Sequence, residues 1–327
     1  MKALVARAYG PPQTLRIEDM PIPEPGPGQI QVKVSAASLN PADLMMTSGD
    51  IREAFDTRFP YVPGSDFAGT VTRLGTGVVA FAEGDEVFGF GVPPSYAERF
   101  GLPAVTSGGL AEYATFQANG PFVAHRPAGL APETAAALAS TGMTAAAAIQ
   151  DGDFQPGETV LVIGATGGVG SIVVQLLAKE REAEVVATAL PEYAGYARTL
   201  GATHTIDYLT TDVVTATRRL HPDGVDAIVN LVLDGDRLAE AVKALRPGGR
   251  VISTTFSSLG SGDVTVKIVD GPPSLRADTF PTLAARVLDG TLVDMISRRY
   301  QFDQAAQALA DLAAAPNTRG KWVISMT

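Results

Sequence analysis

A continuous apolar run, Thr159-Val160-Leu161-Val162-Ile163, leads directly into Gly164-Ala165-Thr166-Gly167-Gly168-Val169-Gly170, and a helical stretch follows to Lys179. A strand without polar alternation fits a parallel sheet covered on both faces. The glycines allow a sharp turn and let backbone come close to a pyrophosphate. Behind them, the helix N-terminus offers unpaired N–H groups and the positive end of its dipole to negative charge. Strand, glycine turn and helix in that order predict a dinucleotide-binding loop over a merely structural turn.

The pattern around this motif repeats. Residues 184–189 read as a strand and 193–200 as a helix closed by Gly201. Residues 203–207 and 225–232 read as strands, 237–245 as a helix capped by Pro247-Gly248-Gly249, and 250–254 as a strand. Alternating strands and helices imply a parallel sheet with helices on both faces. A further helix over 134–149 precedes the motif. The first 120 or so residues differ. Gln29-Ile30-Gln31-Val32-Lys33-Val34-Ser35 alternates as a half-buried strand should, and 64–71 and 84–89 read as short strands with turns. Pro21, Pro23, Pro25 and Pro27 read as an extended surface connection. This is the texture of a barrel-like or irregular all-β unit. Beyond about residue 265 come helices at 281–288 and 303–315 and a last strand at 321–324.

Composition removes several classes of function. The chain of 327 residues carries a formal charge of −10, which argues against nucleic acid as a partner. It has no cysteine, so disulfides, thiol nucleophiles and Cys-ligated zinc are excluded. His125, His204 and His221 are scattered without ligand spacing, show no partner pattern and are expected at the surface; no metal is expected. The longest apolar run, 135–149, is interrupted by Ser140, Thr141, Gly142 and Thr144 and is too weak to span a bilayer. The apolar N-terminus is too short for a signal segment, so a soluble cytoplasmic protein is expected.

Together with the glycine loop, several stretches resemble one family, and they cover nearly the whole chain. In order they are Asn40-Pro41-Ala42-Asp43 with Ser48-Gly49; Pro60-Tyr61-Val62-Pro63-Gly64-Ser65-Asp66-Phe67-Ala68-Gly69; and Gly84-Asp85-Glu86-Val87-Phe88-Gly89. Then come Gly108-Gly109-Leu110-Ala111-Glu112-Tyr113, Thr141-Gly142-Met143-Thr144-Ala145, Leu200-Gly201-Ala202, Leu245-Arg246-Pro247-Gly248-Gly249-Arg250 and Arg319-Gly320-Lys321. The chain resembles the medium-chain dehydrogenase/reductase superfamily, in its zinc-free quinone oxidoreductase (zeta-crystallin-like) branch.

The resemblance implies an α/β chain. It expects a GroES-like β-rich catalytic domain, 1–123 and 266–327, interrupted by a doubly wound Rossmann domain, 124–265, with cofactor and substrate held between them. It implies an NAD(P)H-dependent, zinc-independent oxidoreductase of quinones or α,β-unsaturated carbonyl compounds. Alternatives are a tailoring reductase or cyclase of a larger unsaturated metabolite, or a non-catalytic dinucleotide-binding protein. A homodimer is implied, with the strand-like stretch 264–269 as a candidate edge. Family position sets Gly164, Ala165, Thr166, Gly167, Gly168, Val169, Gly170, Thr141, Thr188, Ala189, Leu190, Asn230, Phe256 and Lys321 beside the cofactor. The strand ending near Ala189 carries no Asp or Glu at its end, which leans towards NADP, with NAD possible. Lys179, Arg181 and Arg198 are better read as solvated cations than as phosphate ligands. Relatives carry a Tyr and an Arg where this chain has Met45 and Thr47, which implies a more apolar pocket.

Hydride transfer chiefly requires alignment and exclusion of water. Negative charge builds on the acceptor oxygen, so a donor should lie near it. Asn40 and Thr144 are the candidates, against loop capping as their alternative role. Tyr61 and Tyr113 are possible proton donors, although a buried ring is the stronger reading. Asp43 is read as a loop organiser, and water as the proton source. The stretch 91–108 could form a lid over the substrate.

Overall fold

The computed structural model describes residues 1–92, 108–255, 264–269, 274–293, 295–315 and 317–326. They divide into two compact units: Met1–Ser140 with Arg276–Leu288 and Ile296–Thr327, and Thr141–Leu275 with Asp289–Met295.

In the first unit, β1 (Lys2–Val5) pairs with β2 (Arg16–Asp19), and β3 (Gln29–Ser38) leads into α1 (Pro41–Ser48). Then follow β4 (Asp66–Leu74), β5 (Glu86–Phe90), β6 (Tyr113–Gln117), β7 (Val123–His125) and α2 (Pro132–Gly152), inside which the division between units falls. β3 organises the main sheet. Residues 29–33 pair with β6, and most of the strand pairs with β4 along its other edge. Alternation in β3 places Ile30, Val32 and Val34 in an apolar core with Phe67, Val71, Val87 and Phe116.

The second unit alternates strand and helix: β8 (Thr159–Ile163), α3 (Gly168–Glu180), β9 (Glu184–Thr188), α4 (Pro191–Leu200), β10 (His204–Ile206), α5 (Val213–Leu220), β11 (Val225–Asn230), α6 (Gly235–Ala241), β12 (Leu245–Ser253) and β13 (Thr265–Ile268). Among the described residues its sheet has six strands, all parallel, in the order β10-β9-β8-β11-β12-β13. Numbered within the unit this is 3-2-1-4-5-6, the order of a doubly wound dinucleotide fold. Connections reverse direction between β8 and β11, and ligands bind such sheets beyond the carboxyl ends of the strands at that point. The chain then returns to the first unit with α7 (Thr279–Leu288), β14 (Ile296–Gln301), α8 (Ala305–Ala314) and β15 (Lys321–Ser325). There β15 pairs antiparallel with residues 36–38 of β3.

Two local expectations need correction. Pro247-Gly248-Gly249 does not cap a helix: α6 ends at Ala241, and the glycines lie within β12, whose register jumps from Val225↔Leu245 to Ala227↔Arg250. Arg246 bonds Asp226 across this irregularity at 2.5 Å, and the Arg250 guanidinium holds Glu158 with two bonds of 2.8 and 2.6 Å. The second correction is α5, a helix the sequence reading passed over. Its run of Val and Thr has low helix propensity. The available signal was Asp212, whose carboxylate caps the helix by accepting from Thr215 N at 2.8 Å.

Candidate active site

The glycine loop follows β8 at the switch point. Gly164 has φ of 85°, a left-handed conformation that glycine adopts without strain, and its carbonyl accepts from Gly167 N at 3.2 Å. Thr188, at the end of β9, pins the loop: its hydroxyl accepts from Gly164 N at 3.1 Å. A Cβ at Gly170 would fall 2.1 Å from Gly164 O, so the helix can approach the turn only with glycine there. At Gly167 a Cβ would have only that carbonyl oxygen near it, at 3.5 Å, which is ordinary contact. Gly167 is also the N-cap of α3, and no side chain caps that helix. A glycine with room before it, at first-turn N–H groups that no side chain caps, fits a pyrophosphate.

Other residues expected beside the cofactor lie at or just past the ends of neighbouring strands. Asn230 is fully buried; its amide donates to Leu233 O and Ser253 Oγ and accepts from Leu233 N, which fixes the turn after β11. Ala189 is buried, and Leu190 begins α4 without a side-chain cap. No carboxylate stands at the end of β9, and Glu192 lies exposed in the first turn of α4. Lys179 donates to Thr291 O, and Arg198 to Thr205 Oγ1. Thr141 and Thr144, three residues apart on α2, share one face of that helix. Phe256, and residues 93–107 of the candidate lid at 91–108, lie outside the described residues.

The first unit holds a buried polar cluster. Strand register explains its assembly: Ser38 pairs with Asp66 across β3 and β4, and Val323 pairs with Ser38 across β15 and β3. Continued past the strand end, the second register sets Lys321 opposite Asn40. Ser140 enters from α2. Lys321, expected beside the cofactor, is only 4% exposed, and its ammonium donates to Leu39 O at 2.8 Å, Asn40 Oδ1 at 2.6 Å and Asp66 Oδ2 at 3.2 Å. An ammonium has three hydrogens, and all three are engaged within the protein. Asn40 Nδ2 donates to Asp66 Oδ2 at 2.9 Å, and the Ser140 hydroxyl lies 2.9 Å from Asn40 Oδ1 and 2.7 Å from Asp66 Oδ2. Ser38 Oγ and Ser140 N also donate to the Asp66 carboxylate. Asn40 is the N-cap residue of α1, and its amide points into the cluster.

Asp43 acts beside this cluster as an organiser. Its two oxygens accept from Asn40 N at 2.8 Å and Gly64 N at 3.1 Å, tying the start of α1 to the loop before β4. Burial, followed by the Asp66 charge, pushes its carboxyl up to about 6 against the opposing backbone donors and Lys321. Tyr61 packs against the apolar cluster that includes Leu4, Leu39 and Trp322. Burial, then the Asp43 charge, holds its phenol above the usual tyrosine range, so it does not release a proton readily. Met45 is half-exposed, whereas Thr47 is buried and donates to the Asp43 and Leu44 carbonyls within α1.

Sequence reasoning gave Asp66, Ser38 and Ser140 no role. Asp66 lay inside a matched stretch, and Ser140 looked only like an interruption of an apolar run. Two of the histidines approach one carboxylate. His204 Nε2 and His221 Nε2 lie 3.3 and 3.5 Å from the same Glu184 oxygen, because β9 and β10 run side by side and α5 ends beside them. His125 Nε2 is 3.3 Å from Ala80 O.

Comparison with known proteins places this geometry. Residues 26–127 match the model of the alcohol dehydrogenase GroES-like domain, and residues 200–324 that of a zinc-binding dehydrogenase. Over 279 residues the chain is 33% identical to an NADPH-dependent alkenal/one oxidoreductase of Arabidopsis thaliana, covering 82% of this chain and 68% of that protein. The chain belongs to the medium-chain dehydrogenase/reductase superfamily. Within that superfamily it falls in the zinc-free quinone oxidoreductase branch. It is 29% identical to rat quinone oxidoreductase, with 99% of this chain and 97% of that one aligned. The structure of quinone oxidoreductase from Coxiella burnetii superposes with a TM-score of 0.88 at 28% identity, covering 100% and 99% of the two chains. The branch's GroES-like and Rossmann folds are those described above. Among the described residues no helix is long and apolar enough to cross a membrane.

Proposed function

We propose that this protein is an NADPH-dependent, zinc-independent reductase of quinones or α,β-unsaturated carbonyl compounds, with the second unit binding the dinucleotide and the first serving the substrate. The observation that carries this reading is the uncapped glycine cradle at the switch point of a 3-2-1-4-5-6 sheet. The relatives' names agree, one specifying NADPH and alkenals or alkenones, two specifying quinones. β9 itself ends without the carboxylate that NAD enzymes often carry there, which favours NADPH over NADH.

Bound NADPH supplies the hydride. The chain's own residues hold and orient the reactants and exclude water. As the acceptor is reduced, negative charge grows on its carbonyl oxygen and is stabilised by a donor already in place. Asn40 is assigned that task, since one of its two Nδ2 hydrogens has no acceptor among the described residues. Thr144 is the second candidate donor. Tyr61, with its raised phenol, is set aside as the acid, and water delivers the proton.

The remaining assignments follow from surface and edge. An acidic chain acts on small molecules rather than nucleic acid, in the cytoplasm and away from membranes. β13 ends the parallel sheet, and its outer edge has no strand partner among the described residues. We assign that edge to a homodimer contact; sedimentation velocity of the purified protein should give a dimer mass.

The decisive assay mixes purified protein with NADPH or NADH and a panel of quinones and enones. Loss of nicotinamide absorbance with at least one acceptor, faster with NADPH, is expected. Tight NADPH binding with no turnover of any acceptor would replace the reductase reading with that of a dinucleotide-binding protein.

A further inference from the structure

We propose that Lys321 is a positioning residue, which locks the Asn40 amide so that it can present only an N–H to the substrate. The proposal rests on the reductase reading for its catalytic consequence, and on hydrogen-bond geometry for the rest. Asn40 Oδ1 accepts from the Lys321 ammonium at 2.6 Å, with the single hydroxyl hydrogen of Ser140 shared between it and Asp66, while Nδ2 faces the Asp66 carboxylate at 2.9 Å. Rotating the amide by half a turn would set an NH2 against the ammonium and a carbonyl oxygen against the carboxylate. Both contacts are repulsive, and both lie where little water reaches, since Asp66 is 0% and Lys321 4% exposed.

The amide of a free asparagine can offer either its oxygen or its nitrogen. Here the oxygen is occupied and one N–H is taken, which leaves a single N–H on a partly exposed residue. That polarity suits an oxygen that gains negative charge and is wrong for accepting a proton from a hydroxyl. Lys321 thus acts through Asn40. Its three bonds within the cluster leave it no hydrogen to donate to a ligand.

The test combines kinetics with a measurement independent of turnover. Asn40→Ala should lower kcat about 100-fold with little change in KM for NADPH. Lys321→Met should lower kcat about 10- to 100-fold, again sparing that KM. The double variant should fall within about threefold of Asn40→Ala alone, because a lock has no effect once its bolt is gone. Multiplying losses would overturn the proposal. Side-chain amide NMR of asparagine-labelled protein supplies the second arm, with the Asn40 pair identified by its absence in Asn40→Ala. Wild type should show one hydrogen protected from exchange by Asp66 and one exposed, and Lys321→Met should erase the difference. Unchanged Asn40 signals in a folded Lys321→Met would refute the lock. Should that variant fail to fold, Lys321→Met/Asp66→Asn removes ammonium and carboxylate together and should likewise abolish the inequivalence. If wild type reduces no acceptor, the reductase reading fails, and the NMR arm still decides whether Lys321 orients Asn40.

Discussion

The glycine cradle of the second unit and the polar cluster of the first solve different problems with different materials. The cradle is backbone: the four residues between β8 and α3 and the first three of α3 carry it, with a side-chain tether from Thr188. The cluster is side chain, gathered from β3, the cap of α1, β4, α2 and β15. A backbone site tolerates most neighbours but few substitutions of its glycines. A side-chain site depends on the register of strands far apart in sequence. Chemistry follows the same division, since N–H groups at a helix end suit any phosphate, whereas a locked amide suits one polarity of one atom.

Substitutions within the cradle test this contrast most strongly. Gly167→Leu should cut dinucleotide affinity about 100-fold, some 3 kcal/mol, while the unfolding midpoint barely moves, because its Cβ makes only an ordinary contact with Gly164 O. Gly170→Ala should do the reverse, destabilising by about 3 kcal/mol through collision with Gly164 O. Calorimetric titration and urea unfolding of both variants separate the roles; a Gly167→Leu protein that binds NADPH like wild type would remove the cradle from function.

The first unit carries its own signature in pH. Asp43, pushed up to about 6, binds its proton more tightly folded than unfolded, where 3.8 applies. Its contribution to stability is therefore complete below about pH 4 and lost as pH rises through about 6, to the extent of roughly 3 kcal/mol. In Asp43→Asn the difference between urea midpoints at about pH 4 and pH 7 should shrink accordingly. An identical pH dependence in both proteins would contradict the assignment.

The smallest effect is expected at the tether. Thr188→Val removes the acceptor of Gly164 N, about 1 kcal/mol, and should weaken dinucleotide binding several-fold without loss of fold. Unchanged affinity would mean that the glycines hold the loop without Thr188.

How far the sequence could be read follows from the same division. The glycine loop was legible because its information is local: an apolar run, a set of glycines and a helix start, all within about twenty residues. The turn at Gly201, with φ of 115°, was legible on the same grounds. The irregular start of β12 was misread because Pro-Gly-Gly breaks helices and strands alike, and only pairing with β11 decides which. Asn40 was legible as a candidate, yet whether it caps α1 or faces a substrate depended on Lys321, 281 residues away.

By itself the sequence determined a parallel α/β half built around a phosphate-sized turn, a β-rich half, and a chemistry without thiols. Those conclusions depend on composition and on short-range periodicity, which survive in any context. Tertiary structure alone decided the orientation of the Asn40 amide and the burial of Lys321 and Asp66 as a pair. Each is a contact made when strands align, and the strength of such contacts comes from the exclusion of water that burial brings.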